Sequence, residues 1–340
     1  MASLPVRVFD WAITLLLLPT ALMAAPPTAK VVKSSLPSSG IKTPGIGIPF
    51  ANLKPEAQIS LPSKPGWLFF SNSVFAPGVK GLERIDAKTN KAAEPIAGLD
   101  QPCGGMASAF GSLWVPACGE GKLARLDAKD YKPKEKIATG TSATLKGTVA
   151  ASGDSVWALV DDKVTLARID PDTNSVVGEL RLPAGCQSLA FGETALWVAC
   201  PKEDKVLRIN PTTNLVEKRI EVAAKPIALT VGQGSIWVLC SKDGKVARID
   251  PKTNKVSKSL ELGVPQAEGG IAFGDGSVWV TLTGFPLTRI DPQAETVAQQ
   301  FQGGNGTAIQ ASPGALWLLQ ANDGMLLRID PKLVLATLAE

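Results

Sequence analysis

The side chains that could do chemistry in this chain are lysines, carboxylates and five cysteines, because its 340 residues include no histidine. That composition excludes Ser-His-Asp and Cys-His nucleophilic arrangements. No Cys-x-x-Cys string and no other metal-ligand spacing occurs. No cofactor is therefore expected. A magnesium or calcium ion held by carboxylates and loop carbonyls stays open, since such ligands leave no firm spacing. Six polar residues are candidates for ligand binding: Lys64, Lys146, Gln187, Lys225, Glu268 and Asn305. What they share is a position, and the position comes from a repeat.

An Arg-(Ile or Leu)-(Asp or Asn) string recurs seven times, with its arginine at Arg84, Arg125, Arg168, Arg208, Arg248, Arg289 and Arg328. Such nearly even spacing marks stacked units that cannot bury their apolar faces alone. The fifth unit is the clearest. Runs at 227–231, 235–239, 246–250 and 256–262 are rich in Val, Ile and Leu, and turn residues such as Gly232-Gln233-Gly234 and Pro251-Lys252-Thr253-Asn254 separate them. Four strands in each of seven units predict an all-β, seven-bladed β-propeller of four-stranded antiparallel blades. The loops between strands two and three, and those leading into each first strand, then open on one face around a central channel. The six candidate residues belong to that face, and loops on a rigid scaffold are common sites of binding.

One aromatic recurs on each second strand: Phe75, Trp114, Trp157, Trp197, Trp237, Trp279 and Trp317. One ring per unit at a fixed strand position predicts packing between neighbouring sheets rather than a ligand platform. The recurrent arginine is expected to pair with a nearby carboxylate or carbonyl. The Asp-Pro-x-Thr-Asn string after it suits a tight turn, because Asn tolerates the left-handed conformation.

The cysteines follow the same repeat. Cys103 precedes the first strand of the second unit and Cys118 follows its second strand; Cys186 and Cys200 hold similar places in the fourth. Paired positions in an antiparallel hairpin share a constant sum, and both pairs centre on a turn, so bridges Cys103–Cys118 and Cys186–Cys200 are expected. Cys240 matches Cys200, but Pro226 lies opposite it. Cys240 should remain a buried free thiol.

The segment 1–54 carries five bases and one acid, and the remainder balances 30 bases against 30 acids. A neutral repeat region lacks the basic stripe that nucleic acid requires, so no nucleic-acid partner is expected. Residues 1–25 resemble an export signal, with an apolar stretch from Trp11 to Leu18, Pro19, and small residues Ala21, Ala24 and Ala25. It is too short to span a bilayer, so no membrane span is expected after its removal. Residues 26–54 read as a flexible lead-in rich in Pro, Ser and Lys, and 55–340 as the propeller. A periplasmic or secreted monomer follows.

The repeats resemble the streptogramin B (virginiamycin B) lyase-like and YVTN-type bacterial propellers. The likeness rests on Gly-Ser-(Val, Ile or Leu)-Trp-Val followed by Arg-Ile-Asp-Pro-x-Thr-Asn, as at Gly234 to Val238 with Arg248 to Asn254. The family's lyase is magnesium-dependent, opens a cyclic depsipeptide by elimination, and uses histidines with acidic residues near the channel mouth. This chain has no histidine to take those roles. Lys225 and Glu268 stand near where the lyase keeps functional residues. The expected function is non-enzymatic binding of a small ligand, peptide or partner protein at the channel mouth; the alternative is a divalent-metal lyase or lactonase-like enzyme. Ring closure is expected to use both chain ends in the last blade, with 333–338 able to form an outer strand and Ile59–Leu61 able to occupy the same place.

Overall fold

Each repeat folds into one antiparallel sheet because its second strand is apolar on both faces while its outer strand is apolar on only one. In the computed structural model, which describes residues 40–43, 45–78, 81–142, 149–161 and 164–337, seven such sheets form a propeller. The expected export signal and Lys146 lie outside the described residues. The fifth blade is representative: Pro226–Gly232 is innermost, followed by Ser235–Cys240, Lys245–Asp250 and the outermost strand Lys255–Glu261. Its second strand is buried throughout, whereas its outer strand is exposed except for half-buried Val256 and buried Leu260. A sheet sandwiched between two neighbours must be apolar on both sides. The outer edge faces water.

The recurrent aromatics and arginines are the joints between blades. All six repeat tryptophans and Phe75 are fully buried. Each tryptophan stands directly across from the arginine of the third strand, as in Trp237 opposite Arg248. In five blades the guanidinium lies over that ring, 4.8–5.6 Å from its centroid. The same arginine then reaches the next blade. Arg125, Arg168 and Arg208 donate to Asn174, Asn214 and Asn254 at 2.8, 3.4 and 2.8 Å, Arg248 pairs with Glu295, and Arg328 closes the ring by donating to Asn90 at 2.9 Å. Arg84 instead lies over the Tyr131 ring, 4.9 Å from its centroid. Sequence reading gives these turns no role beyond chain reversal. They are also the acceptors of the preceding blade's arginine.

Each receiving residue sits six places after its own blade's arginine and has a left-handed backbone, with φ between 53° and 61° from Asn90 to Glu295. Asn adopts that conformation at little cost, which explains its recurrence. The turn is locked by its first residue: Asp86 Oδ1 accepts from Lys88 N and Thr89 N at 2.9 and 2.8 Å. At the equivalent Asp127, the Lys134 ammonium, with help from the Lys129 amide, holds the carboxyl down to about 2. A depressed carboxyl adds stability above its unfolded pKa of about 4 and loses it as pH falls through the folded value. Asp127→Asn should therefore lower stability by the same amount at pH 7 and pH 5, with the deficit closing between about pH 4 and pH 2. Chemical denaturation at several pH values reads this directly. A deficit unchanged at the acid end would contradict it.

Ring closure joins distant parts of the chain. Ala57–Ser60 is the outermost strand of the last blade, antiparallel to Met325–Ile329, with Ala57 opposite Arg328 and Ser60 opposite Met325. The C-terminal segment is not a strand: Pro331–Ala336 is a short helix, capped by Asp330, which accepts from Lys332 N at 2.8 Å. Pro at the first helical position and Asp at the cap favour that turn, and Ala57–Ser60 already fills the edge.

The lead-in also departs from expectation. Gly47–Pro49 adds a fifth, parallel strand to the sixth blade, beside Gln300–Gln302. Leu53 is buried with Phe301, and Phe50 meets Phe301 edge-on at 6.4 Å. The apolar residues Ile41, Ile46, Ile48, Phe50 and Leu53 explain why this stretch packs rather than trailing freely.

Candidate functional site

The seven innermost strands line a channel with their unpaired edges, since both faces of each sheet pack against neighbouring blades. A cavity of about 670 Å³ opens at the end where these strands begin, and every blade contributes to its wall. Its apolar lining includes Trp67 and Phe69 of the first blade, Met106 of the second, Ile227 of the fifth, Ile271 of the sixth and Ile309 of the seventh. Among the described residues, none of the lining side chains is a carboxylate, lysine or arginine.

The polar side chains that do line it are already engaged in joining neighbouring strands. Gln187 Nε2 donates to the Ile227 carbonyl at 3.1 Å, and Gln310 Nε2 donates to the Leu68 carbonyl at 3.3 Å. Leu229 N donates to Ser188 Oγ at 3.1 Å, and Thr307 Oγ1 donates to the Leu319 carbonyl at 3.0 Å. These bonds satisfy backbone groups that seven bare strand edges would otherwise present to the channel. The surface left for a ligand is mostly apolar.

Of the five described candidates, Gln187 alone lines this cavity. Lys225 and Glu268 do come together, as a 3.0 Å ion pair between blades five and six, with side chains 46% and 60% exposed. Lys64 is exposed and Asn305 half-buried, both in loops that precede inner strands. The sequence reading selects polar residues and misses the apolar wall. Trp67 carries a usable signal, since it stands outside the repeated tryptophan position.

The loop preceding the fifth inner strand is pinned by acids. Asp204 Oδ1 accepts from Lys225 N at 2.8 Å and Asp243 Oδ2 accepts from Ala224 N at 2.7 Å. Burial, reinforced by Asp243 and Asp204, pushes the nearby Cys240 thiol up to about 12. It is a protonated, buried thiol at neutral pH, opposite Pro226 in register. Among the described residues, no group of three or more His, Cys, Asp or Glu is placed to hold a metal ion.

Both expected disulfides are present: Cys103–Cys118, with Cα atoms 5.9 Å apart, and Cys186–Cys200, at 3.9 Å. The constant-sum register behind them holds only in part. Ala107 pairs with Trp114 as expected, but Cys103 N donates to the Pro116 carbonyl, out of step with that register. In the fourth blade Gln187 pairs with Ala199, and a bulge at Ser188, with φ of 57°, shifts the rest by one. The cysteines meet because a bridge tolerates such shifts.

The comparisons with known proteins show the fold and stop there. No family profile matches the chain, and no curated protein matches it at sequence level. The resemblance to the streptogramin B lyase-like propellers therefore has no support from sequence comparison. Among solved structures, a chain from the "Crystal Structure of Mitotic Checkpoint Complex" is similar with a TM-score of 0.69 and 12% identity, over 96% of this chain and 99% of that one. More than a thousand solved chains match, so the architecture defines a propeller scaffold without defining a ligand.

Proposed function

We propose that the protein is an exported, non-catalytic propeller that binds a small, uncharged, largely apolar ligand in the channel mouth. The observation that carries this reading is the cavity of about 670 Å³, walled by all seven blades and lined, among the described residues, by no ionisable side chain, Cys103 being held in a bridge. Its size suits a drug-sized molecule, and apolar walls with a few placed amides are the usual make-up of such sites. Two disulfides support an oxidising compartment. Among the described residues no helix is long and apolar enough to cross a membrane. The lyase activity is not extended to this chain, since Lys225 and Glu268 are turned toward each other and the family's histidines have no counterpart.

Nile red, a neutral apolar dye, tests the site. Saturable one-to-one binding with a blue-shifted emission is expected. Ala228→Trp places a bulky ring at the lining and should weaken binding by about tenfold, or roughly 1.4 kcal/mol, without unfolding the protein. Lys258→Ala, on an outer strand, should leave it unchanged. Dye binding that does not saturate, or that ignores Ala228→Trp, overturns the reading. Displacement by a peptide rather than by neutral small molecules would shift it to a partner that inserts an apolar side chain.

A further inference from the structure

The two disulfides differ in exposure and in what they hold. Cys186 and Cys200 are buried, 0% and 1% exposed, and neither lines the cavity. Cys103 is half-buried and lines it; its partner Cys118 is 9% exposed. The chain around Cys103 is also less regular than its counterpart in blade four. Blade four has the inner strand Gln187–Gly192 beginning directly after Cys186, whereas blade two has only Ala107–Ala109. The wall before it, Pro102–Met106, has one isolated bridge, Pro102 to Ala117, and two consecutive left-handed glycines, Gly104 and Gly105, with φ of 42° and 76°. Met106 at its end packs in the cluster that Trp67 joins from the adjacent first blade.

We propose that the Cys103–Cys118 bridge is a redox-controlled clamp on the channel mouth: closed, it fixes the Pro102–Met106 wall, and reduced by a dithiol, it releases that wall and weakens ligand binding. This rests on the binding role proposed above. A reductant thiolate attacks the accessible Cys103 sulfur, the S–S bond breaks, and Cys118 leaves as a thiolate and takes up a proton. The reductant's second thiol then attacks the mixed disulfide, releasing Cys103 as a thiol and leaving the reductant as its cyclic disulfide. Two electrons pass from the dithiol to the protein. Exposed bridges exchange with thiols and buried ones resist, because attack needs access in line with the S–S bond. Bridge Cys186–Cys200 is thus the permanent one.

The oxidised protein is titrated with dithiothreitol, alkylated with iodoacetamide and mapped by mass spectrometry, while tryptophan emission and Nile red affinity are followed. Cys103 and Cys118 should be alkylated at a reductant concentration at least about tenfold lower than Cys186 and Cys200. Over the same range the emission should shift toward the red, a change that Trp67→Phe abolishes, and Nile red should bind about tenfold more weakly. The double variant Cys103→Ser/Cys118→Ser should bind Nile red weakly without reductant. Cys186→Ser/Cys200→Ser should respond to dithiothreitol as the parent does. If that second variant fails to fold, alkylation of the parent still decides. Opening of both bridges at one concentration overturns the clamp, as does selective opening with unchanged Trp67 emission. Absence of Nile red binding to the oxidised protein would remove the ligand reading alone, because the alkylation and Trp67 measurements do not depend on it.

Discussion

A chain starting at residue 62 should melt far below one starting at residue 40, and a chain starting at residue 55 should fall between them. The strap from Gly40 to Leu53 supplies the parallel strand Gly47–Pro49 and buries Leu53 against Phe301. One buried leucine with half-buried Ile41, Ile46 and Phe50 corresponds to about 4–7 kcal/mol. Cutting on to Leu61 removes the outer strand of the last blade together with buried Ile59 and Leu61, a further loss of about 4–6 kcal/mol. It also breaks the ion pair of Glu56 with Arg328, at 3.2 Å, and bares the edge of Met325–Ile329. An open, apolar edge recruits other chains, so the shortest form should also aggregate. Thermal melts of the three truncations decide the matter. Equal melting of the chains starting at 40 and 55 would remove any role for the strap, and equal melting at 55 and 62 would remove the closing strand.

The parts of this molecule that repeat are legible in the sequence, and the parts that occur once are not. Trp237 and Arg248 face each other in register, and the same geometry recurs from blade to blade, so a single physical cause leaves its mark in unit after unit. The disulfides are legible for the same reason. Closure is half legible: the sequence places Ile59 in the last blade, but its partner Leu326 lies near the other end of the chain, and the pairing depends on the competing fate of the C-terminal segment. There Asp330-Pro331 starts a helix, a local cap signal that the apolar run after it conceals. The strap escapes notice because glycines and prolines interrupt its sequence, while five apolar side chains do its packing.

The cavity is obscured for a different reason. Polar residues in loops stand out in a sequence, whereas inward apolar residues of a strand look like any other core residue. Ile227 and Ile271 are buried core residues like Ile236, and they border the cavity only because their strands are innermost, which depends on the whole ring. Three polar candidates already have partners: Gln187 joins two inner strands, and Lys225 and Glu268 join two blades. In a propeller with so many strand edges at its centre, amides near the channel are drawn first to satisfying backbone.

Trp317→Ala should destabilise the protein by about 3–5 kcal/mol, the usual cost of emptying a buried aromatic site. Trp317 packs across the seam between the last blade and the first, in one cluster with Val74, Ile85 and Leu326, so the cavity would open where the ring closes. Its Nε1 donates to Ser312 Oγ at 3.1 Å, and the Arg328 guanidinium lies 5.6 Å from its ring centroid before reaching Asn90. The arginine is the smaller effect and the sharper test. Arg328→Ala loses stacking, the Glu56 pair and the bond to Asn90, while Asn90→Ala loses only that bond and a residue at ease with φ of 59°. A double-mutant cycle in urea should therefore show coupling of about 0.5–1.5 kcal/mol between Arg328 and Asn90, and none between Arg328 and Asn254 at the far joint. If Arg328 and Asn90 prove additive, the arginine does not tie one blade to the next. If Trp317→Ala costs less than about 1 kcal/mol, the row of buried rings is not what holds the blades together.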